Sequence, residues 1–214
     1  MSRRAIDSRG EKALGVFLDK YFYPKAKEQS IWEYVDRIYE KSSQVKGIDV
    51  LINQKSNLDE KAQLYYINEP RDTFAFEIDY LKEDAASIVD GWFINPSNVT
   101  DAYLLMWIFQ ARTKKVHRLV AEDFECVQAD FVKKKQIKEY LSGIGITDKR
   151  LKQMAIEMRN KKIKVMRIND HCYMVFSMDE RYSEKPINIV ISKVILDELS
   201  ERRYEITKER VTLI

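Results

Sequence analysis

Apolar residues recur at helical spacing in the N-terminal part of the chain. The first such pattern, over residues 11–22, predicts a helix that Pro24 ends. The second predicts a helix over residues 30–43, in which Ser30 and Glu33 have the spacing of a capping box. Each helix would bury its apolar face and leave its charged face in water.

Beyond Gly47 the pattern changes to the alternation that is typical of strands. The predicted strands cover residues 48–52, 58–67, 72–81, 91–94, 102–110, 124–132, 164–168, 172–176 and 187–191. Residues 102–110 are apolar on both faces, which predicts a strand in the middle of a sheet. Further helices are predicted over residues 136–142, over 148–160 with Thr147 as the cap, and from Ser192 to Leu199.

The order of these elements predicts an α+β fold, with a mixed central sheet flanked by helices. We expect a core of residues 1–115 and a basic α/β extension of residues 116–214 that packs on it, although no linker marks the boundary.

Composition excludes several classes of protein. Apolar residues make up 45% and charged residues 33% of the 214 residues, which excludes a disordered chain. The longest apolar run, residues 102–109, is much shorter than the about 20 residues of a membrane-spanning helix, so no membrane partner is expected. Cys126 and Cys172 form no pair motif, which argues against a zinc site or a disulfide framework and favours a cytoplasmic protein.

Basic residues are concentrated in residues 112–167, which hold 16 Lys and Arg against 7 Asp and Glu. The rest of the chain has an acidic surplus, so this segment is where a phosphate-binding surface would lie. An ordinary solvated helix face is the alternative reading. The candidate nucleic-acid contacts are Lys133, Lys134, Lys135, Lys138, Lys161, Lys162 and Lys164.

The candidate chemical site consists of Asp49, Asp59 and Lys61. Side chains of a strand alternate between its faces, so Asp59 and Lys61 project from one side and Glu60 from the other. If residues 48–52 pair with the following strand as a hairpin, Asp49 can meet them on the same face. Two carboxylates that close repel each other, and a divalent cation between them removes the repulsion.

Magnesium suits such a pair, because it takes oxygen ligands and commonly uses one or two carboxylates with a substrate phosphate. Mn²⁺ is the other cation we consider. A lysine beside the metal can orient or activate a water and neutralise charge on the phosphate. The residues therefore predict a metal-assisted phosphodiester hydrolase, in which Asp49 and Asp59 bind the metal and Lys61 assists the attacking water.

Asp49 followed by the triplet Asp59-Glu60-Lys61 resembles the PD-(D/E)XK nuclease superfamily, which has a restriction-endonuclease-like fold. That pattern is an Asp on one strand and acid-any-Lys on the next. Asp59 is the matching acid, because the residue two positions after Glu60 is Ala62 instead of Lys. Ile48 stands where the nominal pattern has Pro.

The surroundings carry the resemblance over roughly residues 1–115. Gln44-Val45-Lys46-Gly47 leads into the Asp, and Phe74-Ala75-Phe76-Glu77 and Gly91-Trp92-Phe93 resemble strand blocks of bacterial and phage members. The resemblance implies a Mg²⁺-dependent endonuclease with DNA as its partner. It also implies that a homodimer is one assembly to expect.

Members of this superfamily often carry a further acid on the helix before the strands. Glu33, Asp36 and Glu40 are the candidates on the predicted helix, with Glu60 and Glu77 elsewhere, and the sequence does not choose among them. Two alternatives to the endonuclease stay open. One is a catalytically inactive nucleic-acid-binding protein on the same fold, and the other is a protein-interaction module of a phage or defence system.

Overall fold

A computed structural model describes residues 3–29, 31–82, 87–178 and 184–214. These residues contain the α-helices α1 (Arg3–Phe17), α2 (Tyr23–Glu28), α3 (Lys41–Gln44), α4 (Lys134–Gly143), α5 (Asp148–Lys161) and α6 (Lys193–Leu199). The strands are β1 (Val35–Arg37), β2 (Val50–Ile52), β3 (Ser56–Ala62), β4 (Thr73–Leu81), β5 (Ile88–Asp90), β6 (Ala102–Ala111), β7 (Phe124–Lys133), β8 (Val165–Arg167), β9 (Cys172–Phe176), β10 (Ile187–Ser192), β11 (Arg202–Ile206) and β12 (Val211–Leu213). The fold is α+β with a mixed sheet, as the sequence predicts.

The chain divides into two compact units that are each built from separate segments. Unit 1 contains residues 1–71, 100–134 and 200–214, and unit 2 contains residues 72–99 and 135–199. A boundary at residue 115, which the sequence favours, does not separate these two groups. The core and extension predicted on either side of it stay a prediction.

Unit 1 is built on a seven-stranded sheet with the order β1-β2-β3-β6-β7-β11-β12. Only β3 and β6 run parallel, and the other neighbours are antiparallel. Residues 102–108 of β6 are all buried, which confirms the predicted central strand.

The helices at the N-terminus cover one face of this sheet. α1 continues through a π-helical turn, Leu18–Phe22, directly into α2. Pro24 does not end the helix as predicted. It lies in the first turn of α2, where the helix passes from π-helical to α-helical geometry. The core between helices and sheet includes Phe17, Phe22 and Trp32, and the Phe22 and Trp32 rings lie 5.4 Å apart at 86°.

The predicted helix over residues 30–43 is wrong. The segment instead forms β1 and the short helix α3, and the predicted cap Ser30 lies outside the described residues. β1 pairs with β2 in the register Val35–Ile52, and the backbone N–H groups of Glu33 and Tyr34 donate to Asn53 Oδ1. Pairing with a neighbouring strand thus overrides the helical spacing of the apolar residues.

Unit 2 contains an antiparallel five-stranded sheet with the order β5-β4-β10-β9-β8. α5 begins as predicted at the Thr147 cap, whose side chain accepts a hydrogen bond from the Arg150 N–H at 3.3 Å. The predicted strand over residues 91–94 is a turn that follows β5. It requires Gly91, because a Cβ there would lie 2.5 Å from the Glu77 carbonyl oxygen.

The described part of the chain holds no helix that is both long and apolar enough to span a bilayer.

Candidate active site

Asp49 lies at the point where the pairing between β2 and β3 stops. The two strands pair from Val50–Leu58 to Ile52–Ser56, and the Asp49 N–H still donates to the Leu58 carbonyl at 3.0 Å. Beyond this point the Asp49 carboxylate takes the place of a backbone acceptor. Its Oδ2 accepts the Glu60 N–H at 2.8 Å. Asp49 therefore reaches the site beside β3, where the β2–β3 pairing ends.

Asp59 and Lys61 lie on the same side of β3 and contact each other, as the alternation of side chains along a strand predicts. Lys61 Nζ lies 2.5 Å from Asp59 Oδ1. The Asp59 residue is 1% exposed, whereas the Lys61 side chain keeps 27% of its surface in contact with solvent. The second oxygen of Asp59, Oδ2, is buried and receives no hydrogen bond from any residue that the structure describes.

Asp49, Asp59 and Lys61 are electrostatically coupled. Burial raises the pKa of Asp59 to about 7; Lys61 opposes the rise, and the charge of the nearby Asp49 carboxylate adds to it. Burial alone would lower the pKa of Lys61, but the carboxylates of Asp59 and Asp49 outweigh burial and raise it. Lys61 is thus a cation at neutral pH, whereas Asp59 changes charge near pH 7.

Glu11 is the acid on a helix that the sequence interpretation missed. Removal from water raises the pKa of Glu11, the Lys61 ammonium opposes this rise, and the Asp7 and Asp49 carboxylates add to it. Glu11 as a whole residue is exposed, while its carboxyl group is close enough to Lys61 and Asp49 to feel their charges. The signal in the sequence was a pair of acids four residues apart on α1, but the helix was predicted to begin only at residue 11.

Four of the five further acids that the sequence proposed lie elsewhere. Glu33, Asp36 and Glu40 are all exposed, on the segment that contains β1 and the start of α3. Glu77 belongs to β4 in unit 2. None of these four is among the main causes of the pKa shifts of Asp59, Lys61 and Glu11.

Glu60 faces away from Lys61 and belongs to a buried ion network. Both of its oxygens accept hydrogen bonds from the Arg37 guanidinium, at 2.9 and 2.7 Å, and Oε1 also accepts the Tyr23 hydroxyl. Arg37 further donates to Asp19 at 2.6 Å. Because Arg37 and Glu60 side chains are only 15% and 10% exposed, this network fixes β3 to the helical layer from the side opposite Asp59.

The seven candidate lysines divide between the two units. Lys133 and Lys134 belong to unit 1, and the others to unit 2. Ion pairs with carboxylates among the described residues are seen for four of the seven. These pairs are Lys133–Glu201, Lys135–Glu139, Lys138–Asp148 and Lys161–Glu157, at 2.5, 3.5, 2.5 and 2.9 Å. Lys162 and Lys164 are exposed. Much of the predicted positive charge is therefore balanced locally.

The carboxylate pair fits a divalent cation such as Mg²⁺. In the part of the chain that the structure describes, Asp59 Oδ2 is a buried oxygen without a donor beside a second carboxylate, and such an oxygen is a ready metal ligand. The described residues include no group of three or more His, Cys, Asp or Glu side chains that could hold a metal. The site would therefore supply two carboxylates, from Asp49 and Asp59, and leave the other positions to water and substrate.

Comparison with family models, with curated proteins and with solved structures finds no match for this chain. The resemblance to the PD-(D/E)XK superfamily thus rests on the residues of the site and their order along the chain. The metal, DNA, a homodimer and a cytoplasmic location stay predictions.

Proposed function

We propose that this chain is a metal-dependent nuclease that hydrolyses phosphodiester bonds in DNA, on a core that resembles the PD-(D/E)XK fold. The observation that carries the proposal is the meeting of Asp49, Asp59 and Lys61 at the edge of β3. Asp59 Oδ2 is buried without a donor in the described part of the chain. Such an oxygen lowers the stability of the fold, and a bound cation would recover that loss. A helix bearing Glu11 precedes these strands, which agrees with the order of the resembled pattern.

The roles of the residues follow from their contacts. The Glu60 N–H fixes one oxygen of Asp49 and leaves the other for a ligand. In this proposal Asp59 would supply its second oxygen to the same cation. When bound there, Mg²⁺ would lower the pKa of a coordinated water and neutralise charge on the phosphate. Lys61, held as a cation by the two carboxylates, orients the attacking water and stabilises the negative charge of the phosphate. It does not act as a general base, because its raised pKa keeps it protonated.

The DNA partner is supported by charge and by the type of site. Paired carboxylates with a lysine suit a substrate that brings its own negative charge, as a phosphodiester does. The basic surplus of residues 112–167 gives a second attraction, although six of its lysines and two of its arginines form ion pairs within the described residues.

Cleavage of labelled single-stranded, duplex and branched DNA with Mg²⁺ or Mn²⁺ tests the proposal. We expect cleavage that needs the metal and falls by about 100- to 1,000-fold in Lys61→Met, since a charge-stabilising donor is removed. Asp59→Asn should lower cleavage at least as far. Lys55→Met and Asp170→Asn are the matched controls, because both residues are exposed and carry no ion pair in the described structure, and they should cleave like the wild type.

Two outcomes would overturn the proposal. Salt-dependent DNA binding without cleavage under any metal would identify a catalytically inactive nucleic-acid-binding protein. Neither binding nor cleavage would leave a protein-interaction module.

A further inference from the structure

The chain segment that follows the strand of Asp59 and Lys61 lines a small pocket. β3 ends at Ala62, and the chain continues through a 3-10 turn, Leu64–Tyr66. The pocket that follows, here called the tyrosine pocket, is lined by Tyr65, Tyr66, Ile67, Glu69, Arg71 and Lys114, all in unit 1. Its volume of about 160 Å³ is well below the about 300–1,000 Å³ of pockets that enclose drug-sized ligands, so it suits one planar ring with a neighbouring anion.

Hydrogen bonds hold the loop that forms the tyrosine pocket in one conformation. The Gln63 side chain accepts the Arg71 N–H at 2.9 Å and donates to the Arg71 carbonyl at 3.2 Å. Trp107 Nε1 donates to the same carbonyl at 3.0 Å. The Asn68 side chain bonds both the N–H and the carbonyl of Ala111. The loop is therefore preorganised, which lowers the entropy cost of binding a ligand.

The pocket combines exposed aromatic rings with cations. Tyr65 and Tyr66 remain 48% and 43% exposed although the loop around them is fixed. The Arg71 guanidinium stacks on the Tyr66 ring, 5.0 Å from its centre. Lys114 is paired with Glu69 at 2.5 Å, whereas Arg71 forms no ion pair with any residue that the structure describes. The Glu69 carboxylate of the same pocket is held by Lys114 and also feels the charge of Arg71, so two cations stand against one acid. Flat rings and this surplus of positive charge suit a base and its phosphate.

A contact joins the tyrosine pocket to the candidate active site. The Tyr65 hydroxyl donates to Asp7 on α1. Asp7 in turn raises the pKa of Glu11, the helix acid beside Lys61 and Asp49. The pocket thus lies on the same unit as the site and is linked to it through neighbouring side chains.

We propose that the tyrosine pocket binds an unpaired nucleotide of single-stranded DNA, with the base on Tyr66 and Tyr65 and the phosphate on Arg71. The inference rests on the proposed function, whose substrate it narrows to DNA with a single-stranded segment next to the bond that is cleaved. A duplex would keep its bases stacked inside, so it could offer the pocket a phosphate but no ring face.

Fluorescence anisotropy of the full chain with a labelled oligothymidylate, and with a duplex of the same length, tests the pocket in EDTA, where no cleavage occurs. We expect Tyr66→Ala and Arg71→Gln each to weaken single-strand binding by about tenfold, since one stacked ring or one phosphate contact is lost. Duplex binding should be unchanged. Tyr39→Ala and Arg118→Gln are the controls, because both residues are exposed and lie outside the pocket, and they should bind like the wild type.

Wild-type binding by both pocket variants, or an equal loss for single strand and duplex, would overturn the inference. The test of the pocket can fail independently of the test of the proposed function. If metal-dependent cleavage persists while the pocket variants bind normally, only the pocket inference fails. If binding depends on Tyr66 and Arg71 but no metal supports cleavage, the pocket inference stands and the nuclease proposal fails.

Discussion

The two sides of β3 hold neighbouring carboxylates in opposite ways. Glu60 accepts three hydrogen bonds from Arg37 and Tyr23, which satisfy both of its oxygens. Asp59, the preceding residue, is bonded through one oxygen to Lys61, and its other oxygen is buried without a donor in the described structure. Burial raises the pKa of both acids, and the Asp49 carboxylate adds to both, but Glu60 is opposed by a guanidinium that bonds both of its oxygens whereas Asp59 is opposed by an ammonium that bonds only one.

This difference separates a structural carboxylate from a candidate functional one. A buried acid with a bidentate arginine gains from the geometry it already has. A buried acid with an oxygen left over is held in place at a cost to stability, and binding of a cation would remove that cost. The comparison makes opposite predictions for substitutions on the two sides of one strand.

The largest expected effect is on the Glu60 side. Arg37→Met should lower the free energy of unfolding by about 3–5 kcal/mol, because it leaves Glu60 buried without a cation. The double variant Arg37→Met with Glu60→Met should recover most of the loss, since it removes both charges. Urea denaturation measures both. A loss below about 1 kcal/mol would show that water reaches the network and that the pair behaves like a surface salt bridge.

Substitution of Asp59 should change the free energy of unfolding in the opposite direction from substitution of Arg37. The folded pKa of Asp59 is raised from 3.8 to about 7, so the folded state binds more protons than the unfolded chain between these values. Wild-type stability therefore contains a contribution that is lost as pH rises from about 4 to about 7. Asp59→Asn lacks this contribution, so its stability relative to wild type should grow over that range, by at most about 4 kcal/mol.

Chemical denaturation at several pH values measures this difference, with Asp170→Asn as the control for an exposed aspartate. A difference between Asp59→Asn and wild type that stays constant from pH 4 to 7, or shrinks, would contradict the assignment.

A smaller loss is expected when the Glu60 network is weakened and not broken. Tyr23→Phe removes one hydrogen bond to Glu60 while Arg37 stays in place, so we expect a loss of about 1.5 kcal/mol in unfolding free energy. Denaturation of Tyr23→Phe beside Tyr39→Phe gives the comparison. Equal stability of the two variants would show that the Tyr23 hydroxyl adds nothing to the network.

The smallest expected effect is the stabilisation of the folded chain by a cation bound at Asp59. A cation that binds only the folded chain should stabilise it by about 1.4 kcal/mol when Mg²⁺ is present at ten times its dissociation constant. Thermal unfolding with and without Mg²⁺ measures this, and Asp59→Asn should abolish the gain. Glu33→Gln is the control, because that exposed acid lies on another segment. An equal gain in Asp59→Asn would place the cation elsewhere.

The parts of the fold that follow from local sequence could be predicted. β6, the hairpin of β8 and β9, and α5 with its Thr147 cap carry uninterrupted patterns that need no distant partner. β11 was missed, because its charged residues Arg202, Arg203 and Glu205 hide the alternation until the strand pairs with β7. β1 was predicted as part of a helix for a similar reason, because it becomes a strand only by pairing with β2 in the folded sheet.

The candidate site was predictable to the same extent. The spacing of Asp59 and Lys61 on one strand fixes that pair through the period of the strand alone. The position of Asp49 at the strand edge depends on where β2 stops pairing, which the spacing does not show. Glu11 comes near Lys61 only because α1 packs on the sheet of unit 1, so the spacing of Asp7 and Glu11 on the helix could not by itself assign Glu11 to the site.

The account depends on a divalent-cation site between Asp49 and Asp59, and titration of Mn²⁺ followed by electron paramagnetic resonance tests it most directly. At pH 8 we expect saturable binding by the wild type, which weakens as pH falls through about 7 and Asp59 is protonated, and which Asp59→Asn removes. Glu60→Gln should bind like the wild type, since that carboxylate faces the other way. Binding that is absent from the wild type at pH 8, or unchanged in Asp59→Asn, would contradict the account.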